Sequence, residues 1–374
     1  MRVAIDARVV SSGRSGIGEY TYQLLRHFPV IDNDLDYVLF LKRFSVEEKR
    51  IKELSSSFNI EKVSSCEGGK FFNFIKTHGE LPVRLLFLKP ELFHSPGPIA
   101  PLIKTCRTVL TIHDLSFLKL DGIFDKFQNC YYKNFVPYIA KKADRIITVS
   151  NNAAMDISEL LHIPEEKIRV IYNGIDERFS SERSEEREDN LKKRYGLSEY
   201  ILFLGVLEPR KNLSRLIRAY SRLSPELKYY KLVIAGGHGW LYDEIYSLVK
   251  ECSLQNRVIF TGRISDEDLP DLYRSASLFV YPSLMEGFGI PPLEAMACGI
   301  PVIASNTSSF PEVLSDAAVL INPLNEEEIT SAMTDILTDK NLCNTLIDKG
   351  LKRASLFSWK ESARRTLELY RELL

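Results

Sequence analysis

Residues 200–217, YILFLGVLEPRKNLSRLI, contain a complete strand–turn–helix unit. Tyr200–Leu204 is a short apolar run of the kind that is covered on both faces in a parallel sheet, and Gly205 ends it. Glu208, Arg210 and Lys211 follow, and then Asn212, a residue type suited to the N-cap of a helix. The same alternation of β-branched runs with amphipathic stretches recurs along the chain and predicts repeated βα units around parallel sheets. One set of strands is expected at 2–7, 37–41, 92–94, 108–112, 145–149 and 168–171, and a second at 200–204, 231–235, 258–261, 278–281 and 301–304. Between the sets, SSERSEEREDNLKKRYG (180–196) is dense in both charges and reads as a solvated linker or surface helix. The expected organisation is therefore a first domain at 1–178, a linker at 179–196 and a second domain at 197–356, followed by a helical segment at 357–374. In that last segment Ala363, Leu367, Tyr370 and Leu374 recur at helical spacing.

The chain has 374 residues, 49 basic and 50 acidic, for a formal net charge of -1. That length suits two domains, and the near-zero balance argues against a nucleic-acid binder, whose phosphate contacts need a strongly basic face. The six cysteines, at 66, 106, 130, 252, 298 and 343, form no C-x-x-C pair, so neither a disulfide framework nor a zinc site is indicated. MRVAIDARVV reads as a first strand and not as a signal peptide. The apolar stretch 288–304 is interrupted by prolines, glycines and Glu294, and does not read as a membrane span.

Four places could carry chemistry. SSGRSGIGEY sets Gly13, Gly16 and Gly18 before a helix beginning near Glu19. Glycines there let amides approach a phosphate, although a tight turn explains them equally well, and the spacing is not the dinucleotide fingerprint. Arg210 and Lys211, at the carboxyl end of a strand, suit a pyrophosphate, one as a planar fork and the other as a point charge. The stretch YPSLMEGFGIPPLEAMACG (281–299) places Glu286 in a glycine-flanked loop before a helix started by Pro291 and Pro292, with Glu294 in its first turn. Glu294 there would complement the helix dipole, whereas Glu286 has no such structural reason. Two carboxylates around a helix N-terminus could accept hydroxyls while amides hold an anion, which are the needs of a sugar nucleotide. His113, at the end of a further strand, is the fourth; a lone histidine is more often structural than catalytic, and the position at a strand's carboxyl end improves the odds of function.

Together these residues resemble the retaining glycosyltransferases of family 4, with the GT-B fold of two facing Rossmann-like domains. The resemblance spans essentially the whole chain. Its most specific part is Glu286-x7-Glu294 enclosing Gly287-Phe-Gly289; Gly205-x4-Arg210-Lys211-Asn212 and His113 come next. The opening RVAIDARVV…SGIGEY and IHDLSFL are most similar to the bacterial mannosyltransferases that build O-antigen and other surface polysaccharides. The resemblance implies that Arg210 and Lys211 bind the diphosphate, that Glu286 holds donor-sugar hydroxyls, and that the amides of Phe288, Gly289 and Ile290 beside Gly287 face sugar and phosphate. It further implies that Glu294 accepts the ribose hydroxyls, that Gly205 belongs to the donor site, that Gly16 lets the N-terminal loop close on the phosphate, and that His113 contacts the sugar near the reacting carbon. Arg263, Ile264 and Asp266 fall where the family seats the base, Asp266 favouring guanine and hence GDP-mannose. The implied reaction uses no cofactor and no metal: Asp34-x-Asp36 lies in a polar turn and is not a metal-binding pair. A C-terminal helix at 357–374 would cross back to the first domain.

The implied partners are a nucleotide sugar and a glycan or lipid-linked glycan acceptor, in the cytoplasm or at the inner face of the plasma membrane. Lys70-Phe-Phe-Asn-Phe-Ile-Lys76, with Arg84 and Lys89, suits a membrane surface or, as is commoner, a core-packed helix with surface lysines. Two alternatives stand beside the GDP-mannose reading: a hexosyltransferase using a UDP-sugar, and a noncatalytic sugar-nucleotide-binding protein. A dinucleotide oxidoreductase lacks its fingerprint here, and a phosphorylase lacks an identifiable lysine for pyridoxal.

Overall fold

The computed structural model describes residues 1–10, 15–42, 48–63, 74, 76–120, 126–239 and 242–374. The chain divides into two compact units, Met1–Gly174 with Ser358–Leu374, and Ile175–Phe357. Each is built on a parallel sheet.

In the first unit the strands are β1 (Arg2–Asp6), β2 (Asp36–Lys42), β3 (Asn59–Val63), β4 (Leu92–Ser95), β5 (Arg107–Thr111), β6 (Arg145–Thr148) and β7 (Ile168–Val170). They lie in the order β3-β2-β1-β4-β5-β6-β7. Short apolar runs form them because helices cover both faces, burying Ala4, Phe40, Phe93, Leu110 and Ile146. β3 was not foreseen: its sequence NIEKV is polar, and only Val63 is buried, since it forms the sheet edge. The helix Gly16–Ile31 begins three residues earlier than the expected start near Glu19, capped by Ser15, whose hydroxyl accepts from the Gly18 amide at 3.0 Å. It buries Tyr20, Leu24, Leu25 and Phe28, and the helix Trp359–Leu373 packs against it. Tyr370 meets Phe28 edge-on at 5.9 Å, and Arg371 bonds Asp32 at 2.5 Å. Each fully buried ring contributes about 1.5–3 kcal/mol, enough to hold the terminal helix in this unit.

The second unit has β8 (Tyr200–Leu204), β9 (Lys231–Ala235), β10 (Val258–Gly262), β11 (Leu278–Tyr281), β12 (Val302–Ser305) and β13 (Val319–Ile321). Their order is β10-β9-β8-β11-β12-β13. The residues expected to form a linker belong to this unit: Glu185–Tyr195 is a helix that buries Leu191 and packs against the helix Leu269–Arg274. Its charges face one another and solvent, with Glu188 buried in an ion pair to Arg183, so of the two readings of this charged stretch the helix holds.

Of the segment 70–76, only Phe74 and Lys76 lie among the described residues, as does neither Gly13 nor Cys66. Arg84 bonds Glu80 at 2.8 Å and Glu61 at 3.4 Å, so it does not present a bare cation. Asp36 is not a turn residue; it opens β2 and pairs with Arg2 at 2.7 Å. Among the described residues no helix is long and apolar enough to cross a membrane.

Candidate functional site

In an open parallel sheet, the place where strand order reverses leaves a crevice at the carboxyl ends. In the second unit that reversal falls between β8 and β11. Arg210 and Lys211 follow β8 in the short 3₁₀ turn Pro209–Lys211, and Glu286 follows β11. The structure brings these three side chains together.

Lys211 is buried, with Nζ 2.5 Å from the Tyr281 hydroxyl and 2.6 Å from Glu286 Oε1. Arg210 lies 3.0 Å from Glu286 Oε2, 2.8 Å from Glu208 Oε1, and donates to the Met285 carbonyl at 2.7 Å. Ser283 donates to Glu286 Oε1 at 2.7 Å. Burial pushes the Glu286 carboxyl up, but the Arg210 and Lys211 charges outweigh it and hold the group down at about 2. Burial pulls Lys211 down, and Glu286 opposes that shift. Two cations and two carboxylates thus form a desolvated array, whose cations an anion can share and whose carboxylates accept hydroxyls.

Backbone geometry shapes the floor and rim. Gly236 sits at φ +144°, and a Cβ there would fall 1.9 Å from the Gly205 carbonyl oxygen, so only glycine lets β9 and β8 end side by side. Gly289 has φ +94° and heads the helix Ile290–Ala297 without a side-chain cap. Pro291 and Pro292 remove two of the amide donors that a helix N-terminus normally leaves unpaired, which limits its donors to Gly289 and Ile290. Ser309 Oγ lies 3.0 Å from both the Glu286 and Phe288 carbonyls and fixes the Glu286–Gly287–Phe288 loop.

Glu294 is not in the first helical turn. It is the fifth residue of the helix and accepts from the buried Tyr273 hydroxyl at 2.9 Å, so complementing the dipole does not explain it. Asn212 precedes the helix Leu213–Ser221 but does not cap it: at φ 59° its amide donates to the Pro282 and Pro323 carbonyls, at 3.0 and 2.7 Å. Arg263 is exposed beside the Gly237 backbone, and Ile264 is half-buried. Asp266 is half-buried and held by Arg178, its Oδ1 at 3.4 Å.

In the first unit Gly16 is exposed at the start of its helix, with open space where a Cβ would stand. His113 follows β5. Its Nε2 lies 3.0 Å from the Pro96 carbonyl, which can only accept, so this nitrogen carries the proton. Burial draws its pKa down, keeping the ring neutral near pH 7.

Residues 14–179 match the family model described as Glycosyltransferase Family 4, and residues 184–353 match that of the Glycosyl transferases group 1. The O-antigen chain mannosyltransferase RfbU of Salmonella typhimurium is 30% identical over 68% of this chain and 67% of its own. The chain belongs to glycosyltransferase family 4. The O-antigen chain mannosyltransferase B of Escherichia coli is 28% identical to this glycosyltransferase over 100% of both chains. Anabaena HepE in complex with UDP-glucose superposes with a TM-score of 0.79 over 99% of each chain at 18% identity, a likeness of fold. The enzyme has the GT-B fold, with two Rossmann-like units on parallel sheets.

The sequence reading missed Tyr281, Ser283 and Tyr273, which hold Lys211, Glu286 and Glu294. Tyr281 at a strand end and Ser283 three residues before Glu286 were usable signals; that Tyr281 meets Lys211 and Tyr273 meets Glu294 depends on how neighbouring elements pack and was not legible.

Proposed function

We propose that this enzyme transfers a mannosyl group from GDP-mannose to a glycan or lipid-linked glycan in surface-polysaccharide assembly, with retention of configuration and without a metal ion. The observation that carries this reading is the array of buried Lys211 with half-buried Arg210 and Glu286 at the strand reversal of the second unit. The mannosyltransferases named above, which match much or all of this chain, support mannose as the sugar.

Arg210 and Lys211 neutralise the diphosphate as its bond to the anomeric carbon breaks. Glu286 holds sugar hydroxyls, the amides of Gly289 and Ile290 face sugar and phosphate, and Glu294 holds the ribose. Arg263, Ile264 and Asp266 border the base, Gly16 lets the N-terminal loop approach phosphate, and neutral His113 contacts the sugar. The acceptor oxygen bonds to the anomeric carbon on the face the diphosphate leaves, and its proton passes to the departing phosphate oxygen. Fixed charges and positioning supply the rate. A lipid-linked acceptor places the reaction at the cytoplasmic face of the membrane.

A screen of GDP-mannose and UDP-glucose for nucleotide release, with and without glycan acceptor, tests the reaction, and thermal shifts with GDP, UDP, ADP and dTDP test the base. The reading expects GDP to stabilise most and GDP-mannose to be turned over. Larger stabilisation by UDP with turnover of UDP-glucose would establish the UDP-sugar alternative, and no turnover of either donor would favour a binding protein.

A further inference from the structure

Beside His113 lies a buried polar chain for which the transfer reaction has no evident use. The Tyr20 ring, from the helix Gly16–Ile31, stands edge-on to the His113 imidazole, with centroids 4.7 Å apart and planes at 87°. Its hydroxyl lies 3.4 Å from Thr111 Oγ1. Thr111 is the last residue of β5, two before His113. The same Oγ1 lies 2.8 Å from His94 Nε2 at the end of β4, and His94 Nδ1 lies 2.5 Å from the Tyr370 hydroxyl in the helix Trp359–Leu373. Tyr20 and His94 are 1% exposed, and Thr111 and Tyr370 0%. Two strands and one helix therefore meet at one threonine hydroxyl, and His94 extends the chain to the second helix.

Burial, with the neighbouring His113 adding to it, pushes His94 down to about 3, so the ring is neutral at ordinary pH. A neutral imidazole donates at one nitrogen and accepts at the other, so the hydrogen bonds run one way through it, from Tyr370 to Thr111 or the reverse. Apolar side chains would fill such a place without the cost of burying polar groups. What a satisfied polar chain adds is a single geometry. The His113 ring makes a hydrogen bond to the Pro96 carbonyl, about which the imidazole can swing, and it meets the Tyr20 edge, which limits that swing.

We propose that Thr111 and Tyr20 are positioning residues for His113: the Thr111 hydroxyl fixes the Tyr20 ring against which the imidazole stands, and His94 with Tyr370 fixes that hydroxyl. The inference rests on the reading that His113 acts at the donor sugar. A displacement of about 1 Å at such a group can cost 10²-fold in rate, so partial loosening should cost about tenfold.

The test measures kcat and donor KM with GDP-mannose, or whichever donor of the screen above the wild type turns over, well below each variant's unfolding midpoint. Thr111→Val, which keeps the shape and removes the hydroxyl, should lower kcat about tenfold with little change in KM, and Thr111→Ser should restore it. In a His113→Ala background, Thr111→Val should cause no further loss, which a merely structural role would not produce. Tyr370→Phe, which acts from the far end of the chain, should show a smaller loss with the same dependence on His113, and it carries the test if Thr111→Val does not fold. Full kcat in Thr111→Val, or losses that multiply with that of His113→Ala, would overturn the inference and leave the role of His113 standing. Wild-type turnover in His113→Ala would overturn that role and the inference with it.

Discussion

Glu286 Oε1 lies 2.6 Å from the Lys211 ammonium although the two residues are 75 positions apart, one after β8 and the other after β11. The pair spans the point where strand order reverses, so two turns that each look ordinary in sequence form one charged surface. In the proposed reaction a donor diphosphate there shares Arg210 and Lys211 with Glu286 and Glu208. That sharing keeps the cations in place before the donor arrives, and little reorganisation is left for the moment of reaction.

Glu294→Gln should weaken donor binding more than chemistry, because a ribose contact is made equally in ground and transition states. A hydrogen bond to a charged group contributes about 1.5–3 kcal/mol, so donor KM should rise about 10- to 150-fold while kcat changes little. Tyr273→Phe, which releases Glu294, should move KM in the same direction by less. Steady-state kinetics over donor concentration decide this, and a fall in kcat at unchanged KM would count against the ribose assignment.

Acid should unfold the second unit partly through Glu286. Its folded pKa of about 2 lies below the ordinary 4.5. A depressed carboxylate contributes stability that is complete above the unfolded value and is lost as pH falls from about 4.5 toward 2. The shift corresponds to about 3 kcal/mol. Urea unfolding at pH 5 and pH 3 should show a steeper loss for the wild type than for Glu286→Gln; equal losses would contradict the ionised, cation-held carboxylate.

Gly289→Ala should destabilise the protein by about 1–3 kcal/mol, the usual cost of a side chain in a sparsely populated backbone region. The residue has φ +94°, and a Cβ would sit 2.7 Å from the Phe310 ring, itself fully buried. The midpoint of urea unfolding and donor turnover should fall together, since the same turn carries Glu286 and the helix N-terminus. An unchanged midpoint would show that the turn relaxes freely.

The strands of both units were legible because each is a local apolar run bounded by glycine, proline or charge, and most observed strands fall within a residue or two of expectation. Asn59–Val63 was not legible, since an edge strand needs few buried residues. Val319–Ile321 is too short for its pattern to stand out. The loop residues of the candidate site could be named individually, because glycine-flanked Glu286 and adjacent Arg210 and Lys211 are locally unusual. Their distant partners could not: Tyr281 with Lys211 and Tyr273 with Glu294 depend on how strands and helices stack. The chain from Tyr20 through Thr111 and His94 to Tyr370 was invisible for the same reason, since it joins residues up to 276 positions apart.

The most direct measurement is turnover of the donor by Arg210→Ala and Lys211→Ala, each against wild type at saturating acceptor. Loss of one preorganised electrostatic group costs about 2.7–4 kcal/mol, so each variant should turn over about 10²- to 10³-fold more slowly. Lys211→Ala should also lose stability, because it leaves Glu286 buried beside one cation where it had two. Wild-type turnover in both single variants would contradict the assignment of Arg210 and Lys211 to the departing diphosphate.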